Sequence, residues 1–406
     1  MNTKIIAIAV VAVIAVAAVG AYVVLSNNDS DADMNIIGRV NTDGSAILLK
    51  NGENSADYVT IVNEKPTSGY YLGGNDTWVV FNKETWGGKI FTDPGASTIQ
   101  HVQLNDIANA MGLKFVQYSN TVAVSDDTLY FIPGVPTYEK FKSELNNNSN
   151  IVGGIFWEPQ TSIAALSGDK CSMMATTNQL FPGHTCCTIA AQHSYISSHK
   201  DETVRFLAAY VESVKKMTAA IGEGSGESYD KVIEVAMDSV NLGSDMKDEA
   251  KKAAIVNAFR YVVYTYADDS AGSLDDLKKD IADMAEKFAN SKTAKNDAAA
   301  LGFDSYNALA SKFVDSSYMK DAMKYELPEK VSTANITVAV IGGDIHQLAI
   351  HYGIAMGIFD EYGIKIKLST QSNGPAVYTA MKNNDAQFGF IGAPPMTINS
   401  MNDKTI

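Results

Sequence analysis

Apolar and polar positions divide the chain into three parts with different periods. Residues 36 to about 185 contain short apolar runs separated by turns, which predicts strands. Residues 187–330 place apolar side chains at helical spacing over Val204 to Val211, Ile255 to Tyr266 and Leu274 to Phe288. The last seventy residues alternate the two patterns. This order predicts an α/β protein whose sheets are flanked by helices.

The final segment carries the clearest succession of elements. It reads as strand Ile336 to Ile341, turn Gly342-Gly343-Asp344, helix Ile345 to Met356, strand Ile364 to Leu368, helix start Ser372-Asn373-Gly374-Pro375-Ala376, and strand Gln387 to Ile391 with Gly392-Ala393-Pro394-Pro395 behind it. Strands that alternate with helices predict a parallel sheet, and such sheets bind ligands at the carboxyl ends of their strands. The glycine-rich turns lie at those ends.

These motifs, with Gly357-Ile358-Phe359-Asp360-Glu361-Tyr362-Gly363, resemble the opening lobe of the nitrate/sulfonate/taurine substrate-binding proteins of ABC importers. In the family, this lobe comes first in the sequence, whereas in this chain its counterpart comes last. Segments in the first half of this chain resemble those that follow the opening lobe in the family. They are Ile36 to Ser45, Gly88-Lys89-Ile90, Asp93 to Thr98, and Ile155 to Pro159. The resemblance therefore implies a circularly permuted member of the family, cut at a surface loop where termini lie close together.

The resemblance implies a two-lobed type II periplasmic-binding-protein-like fold, with lobes of mixed sheets. The implied division begins with a membrane anchor and tether over residues 1–34 and a lobe 1 strand and hinge over residues 35–44. Residues 45–185 then form lobe 2, and residues 186–406 form lobe 1. This last part comprises a helical return segment, 187–330, and a βαβ unit, 335–406. A permuted chain must rebuild the family's sheet. We therefore predict that the strand at Ile36 to Val40 joins the strands at Ile336 and Phe388.

Two helix-start signals, one in each implied lobe, suggest where a ligand binds. Asn373-Gly374-Pro375-Ala376 and Pro94-Gly95-Ala96-Ser97-Thr98 are typical helix starts. Helix N-termini offer unpaired N–H groups and partial positive charge, which suits a small oxyanion. Capping alone explains the same residue types. The candidate ligand-binding residues are Gly342, Gly343, Asp344, Asn373, Gly374, Pro375, Ala376, Gly392, Ala393, Pro394, Ser97, Thr98, Trp157 and Glu158.

Trp157 and Glu158 suggest an organic part in the ligand. Tryptophan offers a flat apolar wall, and a carboxylate accepts hydrogen bonds from an amine. A core tryptophan beside a strand end is the alternative. Asn41, Asp43, Gly44 and Ser45 are predicted to form the hinge. His346 and His101 lie at helix starts, where a histidine either donates to an anion or faces solvent.

Composition and the N-terminus bear on location. The net charge of −14 argues against nucleic acid and anionic membrane surfaces as partners. Ile5 to Leu25 is uninterrupted and apolar, long enough at ~1.5 Å per residue to cross a hydrocarbon core of ~30 Å. Lys4 precedes it and acidic residues follow, so the rest of the chain is predicted outside the cell. A cleaved signal peptide is the alternative.

The cysteines keep an enzymatic alternative open. Thiamine-pyrimidine synthases share the fold and rely on a cysteine-rich motif with histidines, to which His184-Thr185-Cys186-Cys187 is the candidate counterpart. This segment lacks the longer run of cysteines that those synthases have. Buried apolar cysteines and a bridge from Cys171 to Cys186 or Cys187 are further alternatives. A rearranged gene product without function is a third interpretation of the permuted order.

The sequence thus predicts a monomeric, membrane-anchored receptor outside the cell. It captures a small anionic or zwitterionic solute of the nitrate, sulfonate, taurine or bicarbonate kind by hinge closure, and delivers it to an ABC-transporter permease. No catalytic residues, cofactor or metal are expected. The solute is not identified by these residue types.

Overall fold

A computed structural model of the chain describes residues 33–167, 171–243 and 246–406. In this part of the chain, the strands form two sheets of six strands and one of three. The strands are β1 (Met34–Asp43), β2 (Ser45–Lys50), β3 (Val59–Val62), β4 (Tyr70–Gly74), β5 (Thr77–Phe81), β6 (Ile90–Thr92), β7 (Lys114–Gln117), β8 (Thr128–Ile132), β9 (Ile151–Trp157), β10 (Cys171–Thr176), β11 (Thr185–Gln192), β12 (Val262–Tyr264), β13 (Ala334–Ile341), β14 (Ile364–Gln371) and β15 (Phe388–Gly392).

Helices surround these sheets, as the alternating pattern predicts. They are α1 (Ser55–Tyr58), α2 (Lys83–Trp86), α3 (Ile99–Ala110), α4 (Tyr138–Asn147), α5 (Gln160–Ser167), α6 (Thr177–Leu180), α7 (His193–Ser198), α8 (Lys200–Glu223), α9 (Glu227–Ser239), α10 (Asp248–Ala258), α11 (Asp275–Asn290), α12 (Tyr306–Phe313), α13 (Ser317–Ala322), α14 (Leu348–Ala355), α15 (Ile358–Glu361), α16 (Gly374–Lys382) and α17 (Ala393–Asp403), with 3-10 turns at Ala299–Leu301 and Ile345–Gln347. The α/β class is confirmed.

One six-stranded sheet joins the two ends of the described chain. Its strand order is β12-β1-β11-β15-β13-β14, with β13 parallel to β14 and β15 and with β11 antiparallel to β1 and β15. The prediction that the strand at Ile36 to Val40 shares a sheet with those at Ile336 and Phe388 is confirmed. The backbone N–H of Met34 donates to the Thr405 carbonyl over 2.8 Å. We call this sheet and its helices lobe 1.

The second six-stranded sheet has the order β10-β2-β9-β6-β8-β7, and the three-stranded sheet β3-β5-β4 packs beside it. We call this unit lobe 2. Along β2, Leu48 belongs to one apolar core, whereas Ile47 and Leu49 belong to another with Trp86 and Phe91. Because successive strand residues face opposite sides, this alternation shows that the sheet is buried on both faces.

The chain crosses between the lobes at two neighbouring places. β1 of lobe 1 continues into β2 of lobe 2 through Gly44, and β10 of lobe 2 returns through α6 to β11 of lobe 1. The crossings are hydrogen-bonded to each other. The Ser45 N–H donates to the Thr177 hydroxyl over 3.1 Å, and that hydroxyl donates to the Ser45 carbonyl over 3.0 Å.

The helical prediction over Ile255 to Tyr266 is wrong in its second half. Helix α10 ends at Ala258, and β12 pairs antiparallel with Asn41 to Asp43 at the edge of the lobe 1 sheet. Two adjacent valines and a tyrosine favour a strand, and the free sheet edge supplies the hydrogen bonds. The helix predicted over Leu274 to Phe288 is confirmed as α11.

The proposed anchor, Ile5 to Leu25, lies outside the described residues. Of the helices that the structure describes, none combines the length and apolarity needed to cross a bilayer. Cys186 and Cys187 are buried in β11, and no disulfide bond links the cysteines within residues 33–167, 171–243 and 246–406.

Candidate functional site

A cavity of about 500 Å³ lies between the lobes, beside the crossings, and we call it the cleft. Lobe 1 contributes the turns after β13, β14 and β15. Lobe 2 contributes the turns after β6, β8 and β9. All six of these strands run parallel to a neighbour within their sheet, and each turn follows a carboxyl end. This is the position at which α/β sheets place their ligand sites.

Of the helices that the structure describes, five begin at the cleft, three from lobe 2 and two from lobe 1. The lining residues at their starts are Thr98 to Gln100 for α3, Thr137 for α4, Pro159 and Gln160 for α5, Asn373 to Pro375 for α16, and Gly392, Pro394 and Pro395 for α17. The first N–H groups of a helix have no partner within it, and the aligned peptide dipoles add partial positive charge there. Their convergence brings partial positive charge to the cleft, although α17 lacks N–H groups at Pro394 and Pro395.

Most of the sequence-predicted ligand-binding residues come together around this cavity. Those that line it are Gly342, Gly343, Asp344, Asn373, Gly374, Pro375, Gly392, Pro394, Ser97, Thr98 and Trp157. Ala376 and Ala393 lie in the first turns of α16 and α17 but are not lining residues. Each directly follows a lining residue, Pro375 or Gly392.

Glu158 does not face the cleft, which disagrees with its expected role toward an amine. It is 1% exposed, its carboxylate accepts from the Ser162 N–H over 3.1 Å, and its own N–H donates to the Gly44 carbonyl over 2.8 Å. Burial raises the pKa of this carboxyl. The alternation of β9 explains the placement: Trp157 lines the cleft, and the next side chain turns inward to the start of α5.

The predicted hinge residues lie in the crossing from β1 to β2. Asn41 and Asp43 end β1, Ser45 begins β2, and Gly44 between them has a φ of +90°. The Gly44 carbonyl accepts from the Glu158 N–H of lobe 2 and lies 3.2 Å from Nε2 of His346 in lobe 1. Residues of both lobes therefore contact the backbone of the first crossing.

His346 is the site residue that sequence reasoning underrated. It lines the cleft yet is 1% exposed, and its Nδ1 lies 2.8 Å from the Asp344 carboxylate. Burial lowers its pKa, but nearby Cys186 and Asp344 outweigh burial and raise the pKa to about 9. The imidazole therefore carries positive charge at neutral pH. The sequence analysis placed His346 at a helix start without assigning it to the cleft.

Cys186 and Cys187 also line the cleft, with 3.9 Å between their sulfur atoms. The hydrogen bond from the Cys187 thiol lowers the pKa of Cys186, whereas burial raises it. His346 and His184 lower it further, and the resulting pKa is about 6. The same hydrogen bond and burial raise the pKa of Cys187. Among the described residues, no group of three or more His, Cys, Asp or Glu side chains is placed to hold a metal ion.

Ser97 and Thr98 differ in what their hydroxyls can offer. The Thr98 hydroxyl donates to the Gly95 carbonyl over 2.7 Å and accepts from the His101 N–H over 3.4 Å, so it caps α3 and its proton is engaged. Ser97 lines the cleft without such a capping bond. We infer that Ser97 is the better placed of the two to donate to a bound anion.

We therefore expect Ser97→Ala and Thr98→Ala to separate binding from capping. Ser97→Ala should weaken anion binding by roughly 0.5–1.5 kcal/mol and leave stability nearly unchanged. Thr98→Ala should lower the free energy of unfolding by about 1 kcal/mol, because it removes an N-cap. Calorimetry and urea unfolding of both variants measure the two effects. Unchanged affinity in Ser97→Ala would remove that hydroxyl from the site.

Comparisons with known proteins add little to this geometry. No family model and no curated protein matches the chain. One solved structure is similar to part of it, the zinc-bound ligand binding component of an ABC-type import system from Staphylococcus aureus. The two share 12% identity with a TM-score of 0.36, over 59% of this chain and 62% of that chain. The chain thus spans less than two thirds of that protein, and what the cleft can do has to be judged from its own residues.

Proposed function

We propose that this protein is the solute receptor of an ABC importer and that it binds a small anionic or zwitterionic solute in the cleft. The observation that carries the proposal is the convergence of five helix N-termini from two lobes on one cavity. Helix N-termini bind phosphate, sulfate and carboxylate groups in many unrelated proteins through the same N–H groups and dipoles. An anion held between the lobes would bind to both of them at once.

The charged side chains at the cleft support recognition by hydrogen bonds more than by bulk charge. Asp344 and His346 line it as a close pair, and the described lining includes no lysine or arginine. Trp157 and several prolines supply apolar surface. We infer that the solute is an oxyanion attached to a short organic body, such as an alkylsulfonate or a small carboxylate. The amine expected opposite Glu158 would instead have to face Asp344.

The two crossings support binding by hinge closure. Gly44 provides a backbone position with positive φ in the first crossing, which glycine adopts at low cost. Rotation about both crossings would bring the helix starts of lobe 2 toward those of lobe 1. Binding of this kind includes no covalent step.

The protein's partner, location and membrane anchor are also part of the proposal. Delivery to a permease, a location outside the cell and anchoring through Ile5 to Leu25 follow from the sequence resemblance and from the apolar N-terminal stretch. A circularly permuted order is supported by the hydrogen bond between Met34 and Thr405, and by the sheet that holds β1 together with β13, β14 and β15. A ligand survey and cell fractionation address these points separately.

The first experiment is a thermal-shift survey of small anions on the purified protein. Nitrate, bicarbonate, acetate, methanesulfonate and taurine are compared with the cation choline. A ligand at ~100 times its dissociation constant stabilises the folded state by about 2.7 kcal/mol. We expect stabilisation by at least one oxyanion and none by choline. Stabilisation by choline alone would contradict the proposal.

The cleft should also bind its anion more tightly at acidic pH. Cys186 titrates near 6 and is a thiolate above that value, so it repels an anion in the same cavity. Affinity should fall as pH rises from 5 to 7, and Cys186→Ser should reduce this dependence. Cys187→Ala removes the hydrogen bond that lowers the pKa of Cys186 and should move the dependence to higher pH. An unaltered pH profile in Cys186→Ser would show that this thiol does not face the ligand.

A further inference from the structure

Cys186 and Cys187 form a pair of adjacent thiols at the wall of the cleft. Both residues line the cavity, and their sulfur atoms are 3.9 Å apart. Side chains of successive strand residues normally point to opposite faces of the sheet, so a regular strand would bring only one of the two thiols to the cleft. The pair therefore requires a local departure from regular strand geometry.

The pairing of β11 with β1 shows this departure. Thr42 lies opposite Thr185 and Asn41 lies opposite Cys187, so β11 has one residue more than β1 between these two pairs, and that residue is Cys186. On the other side of β11, the pairing with β15 begins at Cys187. An extra residue of this kind is a β-bulge, which re-aims a side chain from the direction that a regular strand would give it. The bulge accounts for the approach of the two sulfur atoms.

The surroundings of the pair favour reaction at sulfur. The hydrogen bond from Cys187 lowers the pKa of Cys186 despite burial, and the imidazoles of His346 and His184 lower it further. His346 also lines the cleft. The thiolate is the reactive form of cysteine, and reactive cysteines lie next to positive charge. Cys186 is 6% and Cys187 is 4% exposed, so a reagent has to reach them from the cavity that they line.

The number of available sulfur ligands decides which element the pair can hold. Structural zinc takes four protein ligands, and the described residues place no group of three or more His, Cys, Asp or Glu side chains for a metal ion. A trivalent arsenic atom that already carries one carbon substituent forms only two further bonds, and as a soft element it forms them with thiolates. Two neighbouring thiols therefore satisfy it completely. The cavity volume of about 500 Å³ lies within the range of small-molecule sites, roughly 300–1,000 Å³.

We propose that Cys186 and Cys187 together form a binding site for thiophilic compounds of trivalent metalloids, which enter through the cleft. With an organic arsine oxide, two As–S bonds form, the As–O bond breaks, and the oxygen leaves as water with two protons. When Cys186 is a thiolate, the solvent supplies one of these protons. Arsenic remains trivalent and neither sulfur is oxidised, so no oxidant or reductant takes part. The site uses sulfur and not the helix N-termini, so it does not depend on whether the cleft binds an anion.

Phenylarsine oxide and the purified, reduced protein provide the test. Intact-mass spectrometry after reaction of the folded protein should show one retained reagent molecule, less one water. The competing dithiol 2,3-dimercaptopropanol should remove it, whereas the monothiol 2-mercaptoethanol at the same concentration should not. Cys186→Ser and Cys187→Ala should each bind the reagent about a hundredfold more weakly, because the second As–S bond is no longer formed within one molecule. Cys171→Ser is the matched control. Cys171 is a half-buried cysteine of β10 that does not line the cleft, so this variant should retain the reagent as the wild type does.

A second measurement shows whether the folded protein reacts. Adjacent cysteines of an unfolded chain can also bind an arsenical, so the rate of capture is followed at urea concentrations below the unfolding transition. Capture through the cleft should proceed at a rate that does not depend on urea, whereas capture through unfolding would accelerate as the unfolded fraction rises. The proposal is overturned if the wild type retains no phenylarsine oxide, or if either single variant retains it as tightly as the wild type. A capture rate that follows the unfolded fraction would overturn it equally.

Discussion

Replacing Gly343 with alanine is expected to lower the free energy of unfolding by about 2–4 kcal/mol and to abolish most anion binding. Gly343 has a φ of +77°, a left-handed conformation that a residue with a Cβ atom adopts at a cost of about 1–2 kcal/mol. A Cβ atom here would also lie 2.4 Å from Cβ and 2.8 Å from the backbone nitrogen of Asn241. The turn after β13 would have to move away from Asn241.

That displacement is expected to damage binding as well as stability. The Asn241 N–H donates to the Gly343 carbonyl over 2.9 Å, and both residues line the cleft. Gly357→Ala is the matched control. Gly357 has a similar φ of +71°, but a Cβ atom there would meet nothing within 4 Å. Urea unfolding should show a loss of only about 1 kcal/mol for Gly357→Ala. Equal losses in the two variants would contradict the close approach of Asn241.

Replacing His346 with leucine is expected to cost about 3 kcal/mol of stability at pH 6 and to weaken anion binding. The change leaves the largely buried Asp344 carboxylate without its charged partner, and breaking a buried pair in this way costs about 3–5 kcal/mol. It also removes the contact from Nε2 to the Gly44 carbonyl at the hinge. In the double variant with Asp344→Asn, part of the lost stability should return, because no unpaired charge remains.

The stability lost in His346→Leu should become smaller as pH rises. The folded-state pKa of His346, about 9, lies above the ordinary value of 6.5 expected in the unfolded chain. Its contribution is therefore complete below about pH 6.5 and is lost as pH rises through 9. Urea unfolding at pH 6 and pH 9.5 should show a smaller difference between variant and wild type at the higher pH. His199→Leu, at an exposed histidine, should change stability by less than about 0.5 kcal/mol at either pH.

The sequence predicted the cleft well where glycine, proline and capping residues determine the backbone. Asn373 accepts from the Ala376 N–H over 3.0 Å and Thr98 caps α3, so local hydrogen bonding determines both helix starts, as their residue types indicate. The shared sheet of Ile36, Ile336 and Phe388 was predicted through the family resemblance. Periodicity within each strand does not reveal which distant strand it pairs with.

The sequence failed where tertiary contacts decide a side chain's surroundings. Nothing near Glu158 shows that it turns away from the cleft to the start of α5, and nothing near His346 shows that it is buried beside Asp344 and Cys186. Val262 to Tyr264 fit a helical spacing, but they form a strand that pairs with the sheet edge at Asn41 to Asp43. Gln103 sits on the buried face of an amphipathic helix, where its missing hydrogen bonds are visible only in three dimensions.

Calorimetric titration of the stabilising anion into wild-type protein and Ser97→Trp tests the central claim most directly. Ser97 lies at the start of α3 on the wall of the cleft, so an indole there should occupy the space of the ligand. Thr60→Trp, on the exposed strand β3, is the control for a surface tryptophan. The account predicts one saturable site in the wild type and in Thr60→Trp, and at least a hundredfold loss of affinity in a folded Ser97→Trp. Equal anion affinity in all three proteins would contradict binding in the cleft.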